Sequence, residues 1–304
     1  MAKWTTADIP PQVGRSAVVT GTGGLGYQDA LALARAGADV IIAGRNVMKG
    51  SSAVAQILEK VPNAKVRFEV VDLASLKSVR TFGQRLRADR EGLDLLVNNA
   101  GVMTPPKRHA TSDGFELQFG TNYLSHFVLT AELLPLLRKG HNPRVVSLSS
   151  IAARNGAINF DDLQAERGYK PMPVYSQSKL ACLMFAFELQ RRSDSAGWGI
   201  TSIAAHPGIS RTDLLPNGAG PMSPTGLIRS WLWFLFQPAA QGALPTLFAA
   251  TAPNARSAGY YGPDRLGETR GLPAVAKVPP QAEDIHAAAR LWTLSEQLAG
   301  MSFK

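Results

Sequence analysis

Cysteine is nearly absent from this chain of 304 residues: Cys182 stands alone, so no internal disulfide can form. It lies in the apolar stretch Leu180–Phe187, where a small buried hydrophobe is expected rather than a reactive thiol, and the pattern suits a reducing compartment. Long apolar runs are missing too. Stretches such as Leu180–Phe187 and Trp231–Phe236 fall far short of the roughly 20 residues that span a bilayer. The opening MAKWTTADIPPQVGRS holds no apolar core of the exported kind, so a soluble, cytoplasmic protein without a membrane span is expected. The five histidines show no metal-ligand spacing, and no metal is expected. Acidic residues are the minority, 23 against 32 basic ones, for a formal charge of +9. The basic residues are scattered along amphipathic segments such as Arg80–Arg90, with no Lys/Arg block and no interleaved aromatics. That excludes the usual nucleic-acid footprint and leaves a solvated surface, part of which can attract an anionic cofactor.

What is present is a regular alternation of short β-branched runs and longer helical patterns. Strands are expected at 16–20 (SAVVT), 40–43 (VIIA), 66–71 (VRFEVV), 93–97 (LDLLV), 144–149 (RVVSLS) and 200–205 (ITSIAA), with a short last one at Tyr260-Tyr261. Helices are expected after the first strand to Ala36, over Leu76–Arg90, from about Asp113 to Arg138, from Tyr175 to about Asp194, and near Asp284–Leu298. The strands read as apolar throughout, as in a parallel sheet covered on both faces. The fold class is therefore α/β, a Rossmann-type doubly wound parallel sheet. No repeat or linker divides the chain, and a single domain over 1–304 is expected. Its cofactor half covers about 14–150 and its catalytic and substrate half about 151–304. The Pro- and Gly-rich stretches 207–226 and 262–280 read as loops over a site.

The first strand ends in Thr20-Gly21-Thr22-Gly23-Gly24-Leu25-Gly26, where a helix opens. Gly21, Gly23 and Gly26 satisfy G-x-G-x-x-G: a tight turn, a close approach to pyrophosphate, and close helix–sheet packing. The helix N-terminus offers free N–H groups to phosphates. About 20 residues on, where an acid would bind ribose hydroxyls, the chain has Gly44-Arg45. Arg45 can instead fork onto a 2′-phosphate, which points to NADP(H) over NAD(H).

Tyr175-Ser176-Gln177-Ser178-Lys179 puts Tyr and Lys at i and i+4 on one helical face. A free tyrosine, with a pKa near ~10, is a poor acid/base at neutral pH. A nearby ammonium favours the phenolate, and the same ammonium can reach ribose hydroxyls.

These motifs form an ordered series with Asp72-Leu73, Asn98-Asn99-Ala100-Gly101, Asn122, Ser149-Ser150, and His206-Pro207-Gly208 with Thr212. The series resembles the short-chain dehydrogenase/reductase family over nearly all of the first 215 residues. LVNNAGVM, TNYLSHF and HPGISRTDL are most similar to the retinol-dehydrogenase-like branch and related bacterial carbonyl reductases. The resemblance implies Tyr175 as acid/base, Ser150 on the substrate oxygen, Lys179 on the ribose and on Tyr175, and Asn122 in a kinked helix, positioning a water. It implies cofactor contacts at Gly21, Gly23, Gly24, Leu25, Gly26, Arg45, Asp72, Leu73, Asn99, Ala100, Gly101, Tyr175 and Lys179. Pro207, Gly208, Ser210 and Thr212 would hold the nicotinamide side. Hydride transfer needs a donor for the developing alkoxide and a proton source, and Ser150 and Tyr175 answer both needs.

Two departures from the family stand out, in the glycine turn and in the basic residues, beside one extra segment that resembles the retinol-dehydrogenase-like branch. The glycine turn is one residue shorter than the family's T-G-x-x-x-G-x-G. A second basic residue common in NADP-binding relatives is missing, so cofactor preference rests on Arg45. The Ser150–Tyr175 interval of 25 residues carries an extra segment near Phe160–Pro173, which leaves the oligomeric state open, since helices near it form the family's usual dimer face. Beyond the nicotinamide turn, a lid over about 213–237 carries Leu214, Leu215, Met222, Leu227, Ile228 and Trp231–Phe236, which suits a lipophilic ketone or aldehyde and its alcohol. The competing readings are a non-catalytic NADP(H)-binding regulator, an enone C=C reductase, and an enzyme docked on membranes through Trp231–Phe236. His206 is expected to be structural.

Overall fold

The computed structural model describes residues 3–210 and 237–303. Eight strands form one sheet in the order β3-β2-β1-β4-β5-β6-β7-β8. They are β1 (Ser16–Thr20), β2 (Asp39–Gly44), β3 (Val66–Val70), β4 (Leu95–Asn98), β5 (Arg144–Leu148), β6 (Thr201–Ala205), β7 (Tyr260–Arg265) and β8 (Arg270–Val275). Neighbours are parallel except β7 and β8, an antiparallel hairpin at one edge. The strand order reverses between β1 and β4, and such a switch opens a crevice at the carboxyl ends of the strands.

Successive side chains of a strand point to opposite faces, and here both faces are apolar. Val18, Ile41, Leu96 and Val145 pack toward α3 (Leu76–Asp89), α4 (Ser125–Leu137), α5 (Pro171–Ala196) and α7 (Ile285–Ala299). Val19, Ile42, Val97 and Val146 pack toward α1 (Gly24–Arg35), α2 (Val47–Lys60) and α6 (Leu244–Thr251). Caps fix the helix starts: the Asn46 side chain accepts from the Lys49 amide and Ser75 from the Ser78 amide. On α7, Trp292 lies 4.9 Å from Phe127 of α4 and 5.8 Å from Phe185 of α5, so this last helix covers both. Among the described residues no helix is long and apolar enough to cross a membrane.

Four local expectations need correction. β3 is not apolar throughout; as an edge strand it carries Arg67 and Glu69, paired with each other at 3.0 Å. The helix expected from Asp113 begins at Leu117, because 111–114 form a turn with Gly114 at φ +87, and Phe119–Leu124 then wind as a π-helix before α4. α5 starts four residues before Tyr175, with Pro171 at its first position, where a missing N–H is harmless. The 262–280 stretch is largely the β7–β8 hairpin. Its prolines do not prevent this: Pro263 lies beyond the β6 pairing, which ends at Tyr261, so no ladder bond to β6 is lost there. Thr212 and the proposed lid, Gln237 excepted, lie outside the described residues.

Candidate active site

The glycine turn follows β1 with Gly21 at φ +104 and Gly24 at φ +53, conformations that favour glycine. Packing is as strict as the backbone. A Cβ on Gly26 would sit 2.6 Å from both the Gly21 carbonyl oxygen and Asn99 Nδ2. Asn99 reaches across from the end of β4, and its Nδ2 donates to the Thr20 carbonyl at 2.7 Å. The Asn99 and Ala100 amides both donate to Thr20 Oγ1, at 2.9 and 3.0 Å. Two strand ends are thus tied under one turn. Helix α1 opens on Gly23 with no side-chain cap among the described residues, and its first amides can face an anion.

Arg45 is exposed immediately after β2. Its neighbour Gly44 faces the turn so closely that a Cβ there would lie 2.8 Å from Thr22 Cγ2, which places Arg45 beside the glycine turn. Asp72 closes a local turn, Oδ1 accepting from the Ala74 amide at 3.0 Å, and Leu73 next to it is a core side chain.

Ser149 and Ser150 have different tasks. Ser149 Oγ donates to the Lys179 carbonyl at 2.8 Å and is buried. Ser150 Oγ accepts from the Ala152 amide at 3.2 Å and caps the 3-10 turn Ile151–Asn155, and its hydroxyl proton has no acceptor among the described residues. Tyr175 and Lys179 sit one turn apart on α5, 8% and 6% exposed. Lys179 Nζ donates to the Leu148 carbonyl at the end of β5, 3.0 Å away. A Cβ on Gly101 would be 3.6 Å from that Nζ. The ammonium therefore lies at the carboxyl edge of the sheet, between β5 and the turn after β4.

Asn122 lies in the π-helix and works as a bracket. Its Oδ1 accepts from the Val102 amide at 2.7 Å, and Nδ2 donates to the Val102 carbonyl and to Ser178 Oγ at 3.0 and 2.9 Å. Its own carbonyl takes His126 Nδ1 at 2.9 Å and Cys182 Sγ at 3.2 Å. Because a carbonyl only accepts, His126 carries its proton on Nδ1, and Nε2 accepts from Thr20 Oγ1 at 3.0 Å. Burial lowers His126 to about 4, so it stays neutral. Burial likewise raises the Cys182 thiol, in keeping with an inert cysteine.

After β6, His206 is fully buried and Gly208 turns at φ +62. Ser210 Oγ and Gln237 Nε2 both donate to the Pro207 carbonyl, at 2.8 and 2.6 Å. Glycine turn, Ser150, Lys179 and the 206–210 segment thus all follow the carboxyl ends of central strands. Sequence reasoning missed His126, Gln237 and Glu268. Gln237 and Glu268 belong to no motif, and His126, although it lies within TNYLSHF, gives no local sign of its contact with Thr20; only the folded chain brings the three to the strand ends. Among the described residues no cluster of His, Cys, Asp or Glu is arranged to hold a metal ion.

Residues 15–219 match the sequence profile described as short chain dehydrogenase. The chain is 40% identical over 301 residues to mouse (Mus musculus) retinol dehydrogenase 13, covering 97% of this chain and 86% of that one. It is 39% identical over 299 residues to human (Homo sapiens) polyprenol dehydrogenase, with 96% and 87% covered. A crystal structure of a protein from Mycobacterium paratuberculosis matches it with a TM-score of 0.83 and 39% identity, over 100% of both chains. This chain belongs to the short-chain dehydrogenase family of oxidoreductases, in the retinol-dehydrogenase-like branch.

Proposed function

We propose that this protein is an NADP(H)-dependent oxidoreductase that interconverts a lipophilic ketone or aldehyde and its alcohol, with Tyr175 as general acid/base. The observation that carries the reading is the buried ammonium of Lys179. It is 6% exposed, and among the described residues its hydrogen bond goes to the Leu148 carbonyl. An ammonium has three donors, and burying it without an anion is costly unless the site has a use for it. Ribose hydroxyls and a tyrosine phenolate one helical turn away answer that need.

The residues fit a dinucleotide: a glycine turn too tight for Cβ atoms at Gly26, an uncapped helix start, and Arg45 beside the turn. The bound cofactor supplies the hydride acceptor or donor carbon. In the reducing direction the Ser150 hydroxyl donates a hydrogen bond to the substrate carbonyl oxygen. The Tyr175 hydroxyl transfers its proton to that oxygen as negative charge develops there. Lys179, one helical turn along α5, would offset the negative charge left on the tyrosine oxygen. In the oxidising direction the phenolate takes the alcohol proton. Arg45 would pair with the 2′-phosphate that distinguishes NADP(H). The named relatives, a retinol and a polyprenol dehydrogenase, favour a long apolar substrate.

The test is a panel of linear aldehydes and ketones of increasing chain length, with NADPH absorbance followed. Catalytic efficiency is expected to rise with chain length. A preference for small, charged or sugar-like carbonyls contradicts the substrate class, and no turnover with any carbonyl contradicts the reaction.

A further inference from the structure

The turn of the β7–β8 hairpin has an unusual residue. Its central positions, Gly267 and Glu268, both have positive φ, +65 and +70, as does Leu266 before them at +49. Glycine or asparagine suits such a position, and glutamate does not. Strain of this kind persists only where the surroundings over-determine it. Here they do. Glu268 Oε2 meets His206 Nε2 at 2.9 Å and pairs with Arg154, while Oε1 accepts from the Lys277 amide at 2.9 Å. Burial raises the Glu268 pKa, but His206, the Lys277 amide and Arg154 outweigh it and hold the carboxyl below its ordinary value.

The two side-chain partners of that carboxylate belong to two different walls of the site. His206 begins the His206-Pro207-Gly208 segment, and Arg154 lies in the 3-10 turn that Ser150 caps. The Gly208 amide donates to His206 Nδ1 at 3.2 Å, so the neutral ring carries its proton on Nε2 and donates it to Glu268. Gly262 on β7 leaves room for the ring, since a Cβ there would overlap Nε2. The same hairpin turn accepts the Ile209 amide on the Thr269 carbonyl at 2.7 Å, and Arg154 Nη1 donates to the Gly267 carbonyl at 3.1 Å. Gly208 passes so close to Thr269 O that a Cβ would collide with it.

We infer that Glu268 is a positioning residue: through His206 and Arg154 it locks the 206–209 segment to the Ser150 turn, so that both walls of the reacting pocket move as one body. Ser150 and the segment on the nicotinamide side must keep a fixed separation for hydride transfer, and displacement of such groups by about an ångström costs rate steeply. The catalytic part of this inference rests on the proposed function; the clamp itself does not.

Glu268→Gly and Glu268→Gln separate the alternatives. Glycine relieves the left-handed backbone and removes the carboxylate; glutamine keeps the length and an oxygen that accepts from His206. Four readouts are taken: hydrogen–deuterium exchange over 206–209, the melting temperature, the Kd for NADPH, and kcat against KM with NADPH and decanal. For Glu268→Gly the inference expects exchange over 206–209 to rise about tenfold or more while melting stays within a few degrees of wild type. It expects kcat to fall about tenfold or more with the Kd for NADPH within about twofold of wild type, and Glu268→Gln to recover a large part of the loss. Unchanged exchange in Glu268→Gly overturns the clamp. Increased exchange with unchanged kcat overturns its catalytic role. A fall in melting temperature with parallel losses in kcat and NADPH affinity makes the residue merely structural. If wild type turns over no carbonyl with NADPH, the proposed function fails on its own, and exchange alone decides the clamp.

Discussion

The Lys179 ammonium donates to the Leu148 main-chain carbonyl at 3.0 Å, which fixes it at the end of β5 next to Gly101. A carbonyl satisfies one of its three protons, and the structure has not paired the charge with a carboxylate among the described residues. Lys179→Met keeps the length and removes the charge. Turnover should fall about 10²–10⁴-fold, the usual worth of acid/base assistance, while the melting temperature holds or rises because a buried charge is gone. A loss of fold with little loss of specific activity would make Lys179 a packing residue.

Gly26 answers for the glycine turn. Gly26→Ala places a methyl 2.6 Å from the Gly21 carbonyl and Asn99 Nδ2, and backbone cannot yield as a flexible side chain does. Overpacking of this kind costs about 1–3 kcal/mol, so denaturant unfolding should shift by that amount. Nucleotide affinity should fall with it, because Asn99 also anchors Thr20. Unchanged stability would mean the turn has slack.

The proposed choice between cofactors rests on Arg45. Its guanidinium is exposed beside the turn, and a forked contact to the 2′-phosphate is a hydrogen bond to a charged group. Arg45→Ala should weaken NADPH by about 1.5–3 kcal/mol and leave NADH nearly unchanged, measured by titration calorimetry. Equal losses for both nucleotides remove Arg45 from the phosphate site.

His126 gives the fold a pH dependence. Burial takes it from 6.5 to about 4, so the folded protein holds it neutral while the unfolded chain protonates near 6.5. The unfolded state therefore binds the extra proton between these values. Stability is full above pH 6.5 and declines as pH falls toward 4, by roughly 3 kcal/mol at the limit. His126→Gln should flatten that part of the stability–pH curve. A curve as steep as wild type assigns the slope to other groups.

Much of this arrangement was legible in the sequence, for identifiable reasons. Strands β1, β2, β4, β5 and β6 are apolar because both their faces are buried, and local pattern reports burial directly. The glycine turn and the Tyr175–Lys179 pair are local too, one set by backbone conformation and the other by helical period. What escaped depends on contacts between distant segments. Glu268 and His206 are 62 residues apart, and nothing near Glu268 announces its partner. The β7–β8 hairpin hid behind Pro263, Gly267, Gly271 and Pro273, residues that punctuate loops as readily as edge strands. The π-helix at Asn122 is fixed by its bracket to Val102 and Ser178, which periodicity does not encode.

The most direct test of the central claim is the single-turnover rate of Tyr175→Phe with NADPH and a long-chain aldehyde. The ring remains to pack at its 8% exposure while the hydroxyl proton is gone. With Tyr175 as the proton source, NADPH affinity and melting temperature should stay at wild-type values while the hydride-transfer rate falls by about 10²–10⁴-fold. A rate within a few-fold of wild type would contradict it, because the proton would then come from a group other than Tyr175.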